Sequence, residues 1–265
     1  VCCARREFGA AMSEQGHSTR SCRAGTAAAT AVAQQNRHTL SLGGIILSKG
    51  WFITIEGIDG CGKTTQADRL CDRLRQQGIA HIRTREPGGT PIGDAIRALL
   101  LDPESEMTPA TEVYLYAASR AEHVRKVIRP ALAEGLVVVC DRYVDASVAY
   151  QGYGMAPQGM SPEFVREVNA PAISGLLPDL TMIIDIPVAL ALTRLAARNT
   201  ERGDRIERRG EPFFDRVRHG LQSVSAEFPW RVISVDGVGT ADEVAERIWN
   251  AVAQLIQRAG STPCS

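Results

Sequence analysis

Phe52-Ile-Thr-Ile-Glu-Gly57-Ile58-Asp59-Gly60-Cys61-Gly62-Lys63-Thr64-Thr65 joins an apolar, β-rich run to a helical pattern through a glycine-rich turn. Residues 57–64 match G-x-x-x-x-G-K-[ST], and they do so where that spacing has meaning, directly after one strand and opening one helix. Glycines let the backbone curl until successive N–H groups face inward around phosphate oxygens, and the following helix adds the positive end of its dipole. In such a loop Lys63 reaches the β- and γ-phosphates of a nucleotide as a compact point charge, and the Thr64 hydroxyl is placed on Mg²⁺. A chance Gly-Lys-Thr in a glycine-rich turn is the competing reading, and the flanking strand and helix weigh against it.

From Trp51 onward short β-rich runs alternate with long helical stretches. Strands are expected at 52–56, 80–84, 136–141, 180–185 and 232–235, with helices at 63–77, 109–134, 212–228 and 241–259. Pro130 inside the longest pattern predicts a kink or local break. Alternation of this kind gives an α/β fold, a parallel five-stranded sheet with helices on both faces. The domain is expected over 51–260.

The 265 residues carry 30 Lys+Arg against 30 Asp+Glu, with 44% hydrophobic and 23% charged. Neutrality excludes a bulk polyanion binder, and the composition is that of a folded chain. No nucleic-acid partner is expected, and no apolar run is long enough to span a membrane. Seven cysteines form no C-x-x-C pair, and no His stands at metal-ligand spacing to any of them, so zinc is not expected. Several of them sit in apolar patterns, which suits buried, reduced thiols and a cytoplasmic location. Residues 1–50 hold six basic groups against two acidic ones and show no sustained periodicity; they read as a disordered extension, either upstream sequence or an organelle-targeting segment. Only Lys49, Lys63 and Lys126 are lysines, so keeping one of them in the loop fits a role for which a guanidinium is poorly shaped.

The third strand ends in Asp141-Arg142-Tyr143. A carboxylate there stands at the sheet's C-terminal edge, where Asp141 can hold Mg²⁺ and Arg142 can fork onto phosphate. The tripeptide alone reads equally well as an exposed ion pair. Phosphoryl transfer needs positive charge around the moving group, and Arg85, Arg97, Arg120 and Arg142 are available. So is the cluster Arg194, Arg198, Arg202, Arg205, Arg208 and Arg209, which Gly203 and Gly210 interrupt in the manner of a mobile flap at about 198–210.

Phe52 to Gln66, Thr84-Arg-Glu-Pro-Gly-Gly-Thr90, Tyr116-Ala-Ala-Ser-Arg120, Asp141-Arg-Tyr143 and Ser147-Val-Ala-Tyr-Gln-Gly-Tyr153 follow the order and spacing of bacterial thymidylate kinases. The chain resembles that family from Phe52 to the C-terminal helix. The resemblance implies a P-loop NTPase domain of the nucleoside-monophosphate kinase type, phosphorylating dTMP with ATP and Mg²⁺ as a homodimer. It implies that Asp59 approaches the sugar 3′-hydroxyl and that Arg142 and Arg120 lie near the acceptor phosphate. Tyr116 takes a position at which the family usually stacks Phe on thymine. The resemblance further implies that Arg97 and Gln151 read the base edge, that Ser147 and Tyr150 line the nucleoside with Tyr150 crowding a ribose 2′-hydroxyl, and that Glu86 braces the site. ATP is held by Gly57, Ile58, Asp59, Gly60, Cys61, Gly62, Lys63, Thr64 and Thr65.

One departure matters. Some members carry an arginine in the loop where this chain has Gly60, so the catalytic charge is expected from the flap, with Arg205 the best match and Arg202 and Arg198 next. Competing readings are a kinase of the same fold acting on a deoxynucleoside, a GTPase switch, against which stands the missing Asn-Lys-x-Asp motif, and a nucleic-acid binder using the arginine cluster.

Overall fold

The computed structural model describes residues 50–197 and 203–260. Residues 1–49 of the extension expected at 1–50, together with Arg198 and Arg202, lie outside them.

Strand β1 (Trp51–Glu56) alternates in the strict period of a pleated strand, yet both of its faces are buried. Phe52 packs with Val138, Cys140, Val124 and Ile128 on one side, whereas Ile53 and Ile55 join Ala67, Leu70 and Leu74 on the other. A strand apolar on both faces must be covered on both. The chain continues through α1 (Lys63–Gln76), β2 (His81–Arg85), α2 (Pro91–Leu101) and α3 (Pro109–His123). A π-helical turn (Val124–Ile128) leads into α4 (Arg129–Ala133), so the expected long helix 109–134 is interrupted just before Pro130. Proline lacks the N–H that would close the regular helical ladder there.

Next come β3 (Val137–Asp141), α5 (Val144–Ser147) with its π-helical continuation (Val148–Tyr153), α6 (Pro162–Ile173), β4 (Leu180–Asp185), α7 (Val188–Ala196), α8 (Glu211–Glu227), β5 (Val232–Asp236) and α9 (Ala241–Gly260). Helices α2, α3 and α6 start alike: Thr90, Thr108 or Ser161 accepts from a backbone N–H three residues on, and a proline fills the first helical position. Arg194, which its spacing groups with the flap, instead sits on α7, where the apolar run from Val188 to Ala191 fixes a helix against the core.

The five strands are parallel in the order β2-β3-β1-β4-β5. Every strand therefore delivers its carboxyl end to the same edge. Pairing of Ile55 with Asp141 sets the loop after β1 beside the residues after β3, at the edge where open α/β sheets bind ligands.

Candidate active site

The loop after β1 is built around backbone that only glycine tolerates. Gly60 has φ +84°, and a Cβ there would stand 2.4 Å from the Ala191 carbonyl oxygen of α7. Lys63, at the first position of α1, is buried; its Nζ donates to Ile58 O at 2.9 Å and lies 3.6 Å from Asp59 Oδ1. Thr64 and Thr65 are exposed at the helix start. Thr64 Oγ1 donates to Asp141 Oδ2 at 2.8 Å. A hydroxyl and a carboxylate so placed are hard oxygen donors of the kind Mg²⁺ takes when nucleotide phosphates and water complete its shell.

Arg142 is the hinge of the site. Its φ is +71°, a left-handed conformation that costs a non-glycine residue about 1–2 kcal/mol. Three contacts hold it there: Arg142 N donates to Ile55 O at 3.1 Å, Tyr143 N to Glu56 Oε1 at 2.7 Å, and Cys140 Sγ to Arg142 O at 3.0 Å. The strained backbone turns the guanidinium back over the loop. Nη1 donates to Gly57 O at 3.1 Å, Nη2 to Asp59 Oδ1 and to Tyr150 Oη at 2.8 Å, and the group stacks 4.4 Å from the Tyr150 ring centre. Tyr150 Oη in turn donates to Asp59 Oδ2 at 3.0 Å. Burial would raise the Asp59 carboxyl, but Arg142, Lys63 and Tyr150 together hold it down at about 2. Burial lifts the Tyr150 hydroxyl well above its ordinary range, so it remains a donor.

Beyond Arg142 a cavity opens. Asp59, Glu86, Arg97, Tyr116, Arg120, Arg142, Ser147, Tyr150 and Gln151 all line it, so every residue expected to contact the acceptor converges on one space. Arg120 is buried: Nε donates to Glu86 Oε2 at 2.7 Å and Nη1 to Asn169 Oδ1. His123 Nδ1 meets Glu86 Oε1 at 2.9 Å, and its Nε2 meets Thr84 Oγ1 at 2.6 Å. Arg97 Nη1 donates to Pro87 O at 3.1 Å, and burial lowers its pKa. Burial also raises the Tyr116 hydroxyl above its ordinary range.

Arg205 does not line this cavity, although Asp204 and Ile206 on either side of it do. Its Nε donates to Leu100 O at 2.9 Å, and its Nη1 pairs with Glu112 Oε2 at 2.7 Å.

The sequence compares closely with known proteins. A family model described as Thymidylate kinase matches residues 55–248. A thymidylate kinase of Geobacter sulfurreducens is 47% identical over 212 residues, covering 77% of this chain and 98% of that protein. The chain belongs to the thymidylate kinase family. One from Desulfosudis oleivorans is also 47% identical, over 210 residues, covering 77% of this chain and 97% of the relative. The crystal structure of the Ehrlichia chaffeensis thymidylate kinase superposes with a TM-score of 0.62 at 30% identity, covering 77% of this chain and 98% of that one. The protein is thus a phosphotransferase, and dTMP phosphorylation is the reaction of its family.

Placed in that family, the kinase has three buried polar residues at its site that motif reading missed. Glu112, His123 and Asn169 each bond a cavity residue through its side chain. Glu112 and His123 could have been found from helical spacing, since Glu112, Tyr116, Arg120 and His123 recur on one face of α3. Asn169, on a different helix, leaves no such signal.

Proposed function

We propose that dTMP occupies the cavity beyond Arg142, that ATP lies on residues 57–65, and that the kinase makes dTDP by direct transfer between them. The observation that carries this reading is Arg142 itself, held in a strained conformation with one guanidinium reaching both the phosphate loop and the cavity-lining Asp59 and Tyr150. The acceptor phosphate is the nucleophile and is largely anionic near neutral pH, so no general base is needed; positioning and charge do the work.

Arg142 and Arg120 hold the acceptor phosphate, and Glu86 braces Arg120. Asp59 takes the 3′-hydroxyl, Ser147 and Tyr150 line the sugar, and Tyr150 stands against a 2′-hydroxyl. Tyr116 stacks on thymine, while Arg97 and Gln151 read its edge. Lys63 neutralises charge on the transferred group. Thr64 and Asp141 would hold Mg²⁺, which when bound spreads the donor's phosphate charge.

Gly60, closed against α7, leaves no room for an arginine in the loop. That supports assignment to the subtype without one, with Arg205 the catalytic flap residue and Arg202 and Arg198 next. We read the kinase domain as 51–260, with residues 1–50 an extension outside it. No helix among the described residues is long and apolar enough to cross a membrane; a cytoplasmic homodimer using α3 is our reading.

Lys63→Ala and Arg142→Ala should each lower single-turnover transfer by about 100-fold or more, and rates within a few-fold of wild type would refute their roles. Arg205→Ala should lower kcat more than it raises KM for dTMP; the reverse would reject the flap assignment.

A further inference from the structure

Glu112 stands one helical turn before Tyr116 and two before Arg120, on the face of α3 that the cavity uses. Its side chain is 1% exposed. A carboxylate buried this deeply is tolerated only when its oxygens are satisfied. Oε1 accepts from Gln151 Nε2 at 3.0 Å, and Oε2 accepts from Arg209 Nη2 and forms an ion pair with Arg205 Nη1 at 2.7 Å.

The chemistry of that first bond is directional. A carboxylate accepts and does not donate, so Gln151 can face it only with its NH₂. Its carbonyl oxygen, which receives no hydrogen bond from any described residue, is thereby left for the cavity that Gln151 lines. Thymine offers an N3–H donor on its pairing edge, whereas cytosine offers a bare N3 acceptor at the same place. A carbonyl fixed toward the base pairs with the first and repels the second. An amide free to turn over would suit both.

We propose that Glu112 is a positioning residue for base selection: by fixing the amide of Gln151 with its carbonyl toward the cavity, it makes the kinase choose a pyrimidine with a proton on N3. The inference rests on the reading of Gln151 as a contact to the base edge. Arg205 and Arg209 balance the carboxylate's charge from the flap side, so the flap and the base-reading amide share one anchor.

Steady-state kcat/KM for dTMP and for dCMP, compared across variants of the full chain, tests this. A site built to hydrogen-bond a substrate group discriminates strongly, and it does so because the wrong partner leaves buried groups unpaired. Glu112→Gln, whose amide can present either donor or acceptor, should lower the dTMP over dCMP ratio at least tenfold. Glu112→Asp, still acceptor-only, should retain most of it. In a Gln151→Leu background, Glu112→Gln should change the ratio less than twofold. If Glu112→Gln keeps the wild-type ratio while Gln151→Leu loses it, the role of Glu112 is overturned and the reading of Gln151 stands. If Gln151→Leu itself keeps the ratio, both fall. Should Glu112→Gln fail to fold by thermal unfolding, Glu112→Gln combined with Arg209→Gln removes one guanidinium with the carboxylate charge and gives the same readout.

Discussion

Glu56 and Asp59 flank the first turn of the phosphate loop, and their surroundings push them in opposite directions. Burial dominates at Glu56 and, against the pull of Arg142, lifts its carboxyl from 4.5 to about 8. At Asp59 burial acts the same way, but Arg142, Lys63 and the Tyr150 hydroxyl prevail and lower it from 3.8 to about 2. Between pH 4.5 and 8 the folded protein binds a proton at Glu56 that the unfolded chain has released, so that contribution to stability is complete below 4.5 and is lost as pH rises through 8. Asp59 behaves oppositely, its contribution being present above 3.8 and lost as pH falls through 2. Glu56→Gln keeps a carbonyl for the Tyr143 N–H and removes the ionisation. Urea unfolding should show wild type losing on the order of 2 kcal/mol relative to Glu56→Gln between about pH 6 and 8. A gap that does not change with pH would contradict this account of Glu56. Neither shift is written in the motif. The sequence marks both residues as acids beside the loop, whereas their titration depends on how Arg142, far along the chain, folds back over them.

At the scale of elements, strands were legible because burial on both faces demands continuous apolar runs, as in Val137-Val-Val-Cys140. Each expected strand falls within about a residue of its observed ends, and 180–185 coincides with β4. No apolar stripe announces the helix 144–153, because its residues serve the cavity and a buried ion pair. Asp145 on α5 takes Arg231 Nη1 at 2.6 Å and Nη2 at 2.9 Å, and Thr181 Oγ1 donates to it at 3.0 Å while meeting Thr54 Oγ1 at 2.8 Å. These polar residues are scattered across the sequence, and no local pattern joins them. Together they tie α5, which leads into Ser147, Tyr150 and Gln151, to β1, β4 and the turn before β5. Both charges are buried, so removing one partner strands the other. Arg231→Ala should cost about 3–5 kcal/mol in urea unfolding. The double change Asp145→Ala/Arg231→Ala should cost much less than the two single changes added together. Additive losses would show that the pair does not act as a unit.

For the whole molecule, formal neutrality says nothing of where charge is placed. The parallel order β2-β3-β1-β4-β5 gathers Lys63, Arg142 and Arg120 toward one edge of the sheet, so the fold supplies what the net charge averages away. On α3, Tyr114 is 55% exposed, with its ring set edge-on to Phe164 of α6 at 6.3 Å. If α3 forms the proposed homodimer contact, this aromatic pair should be covered there. Sedimentation should find a dimer that Tyr114→Glu shifts toward monomer; an unchanged dimer would remove this part of α3 from the contact. In the proposed reaction the arginines that line the cavity hold an acceptor that is itself a phosphate. A coupled assay of ADP formation with ATP, Mg²⁺ and either dTMP, dUMP or thymidine tests this directly. Turnover should be rapid with dTMP and absent above background with thymidine, which has no phosphate for Arg142 and Arg120 to hold. Equal turnover of thymidine, or no ADP formed in response to dTMP, would contradict it.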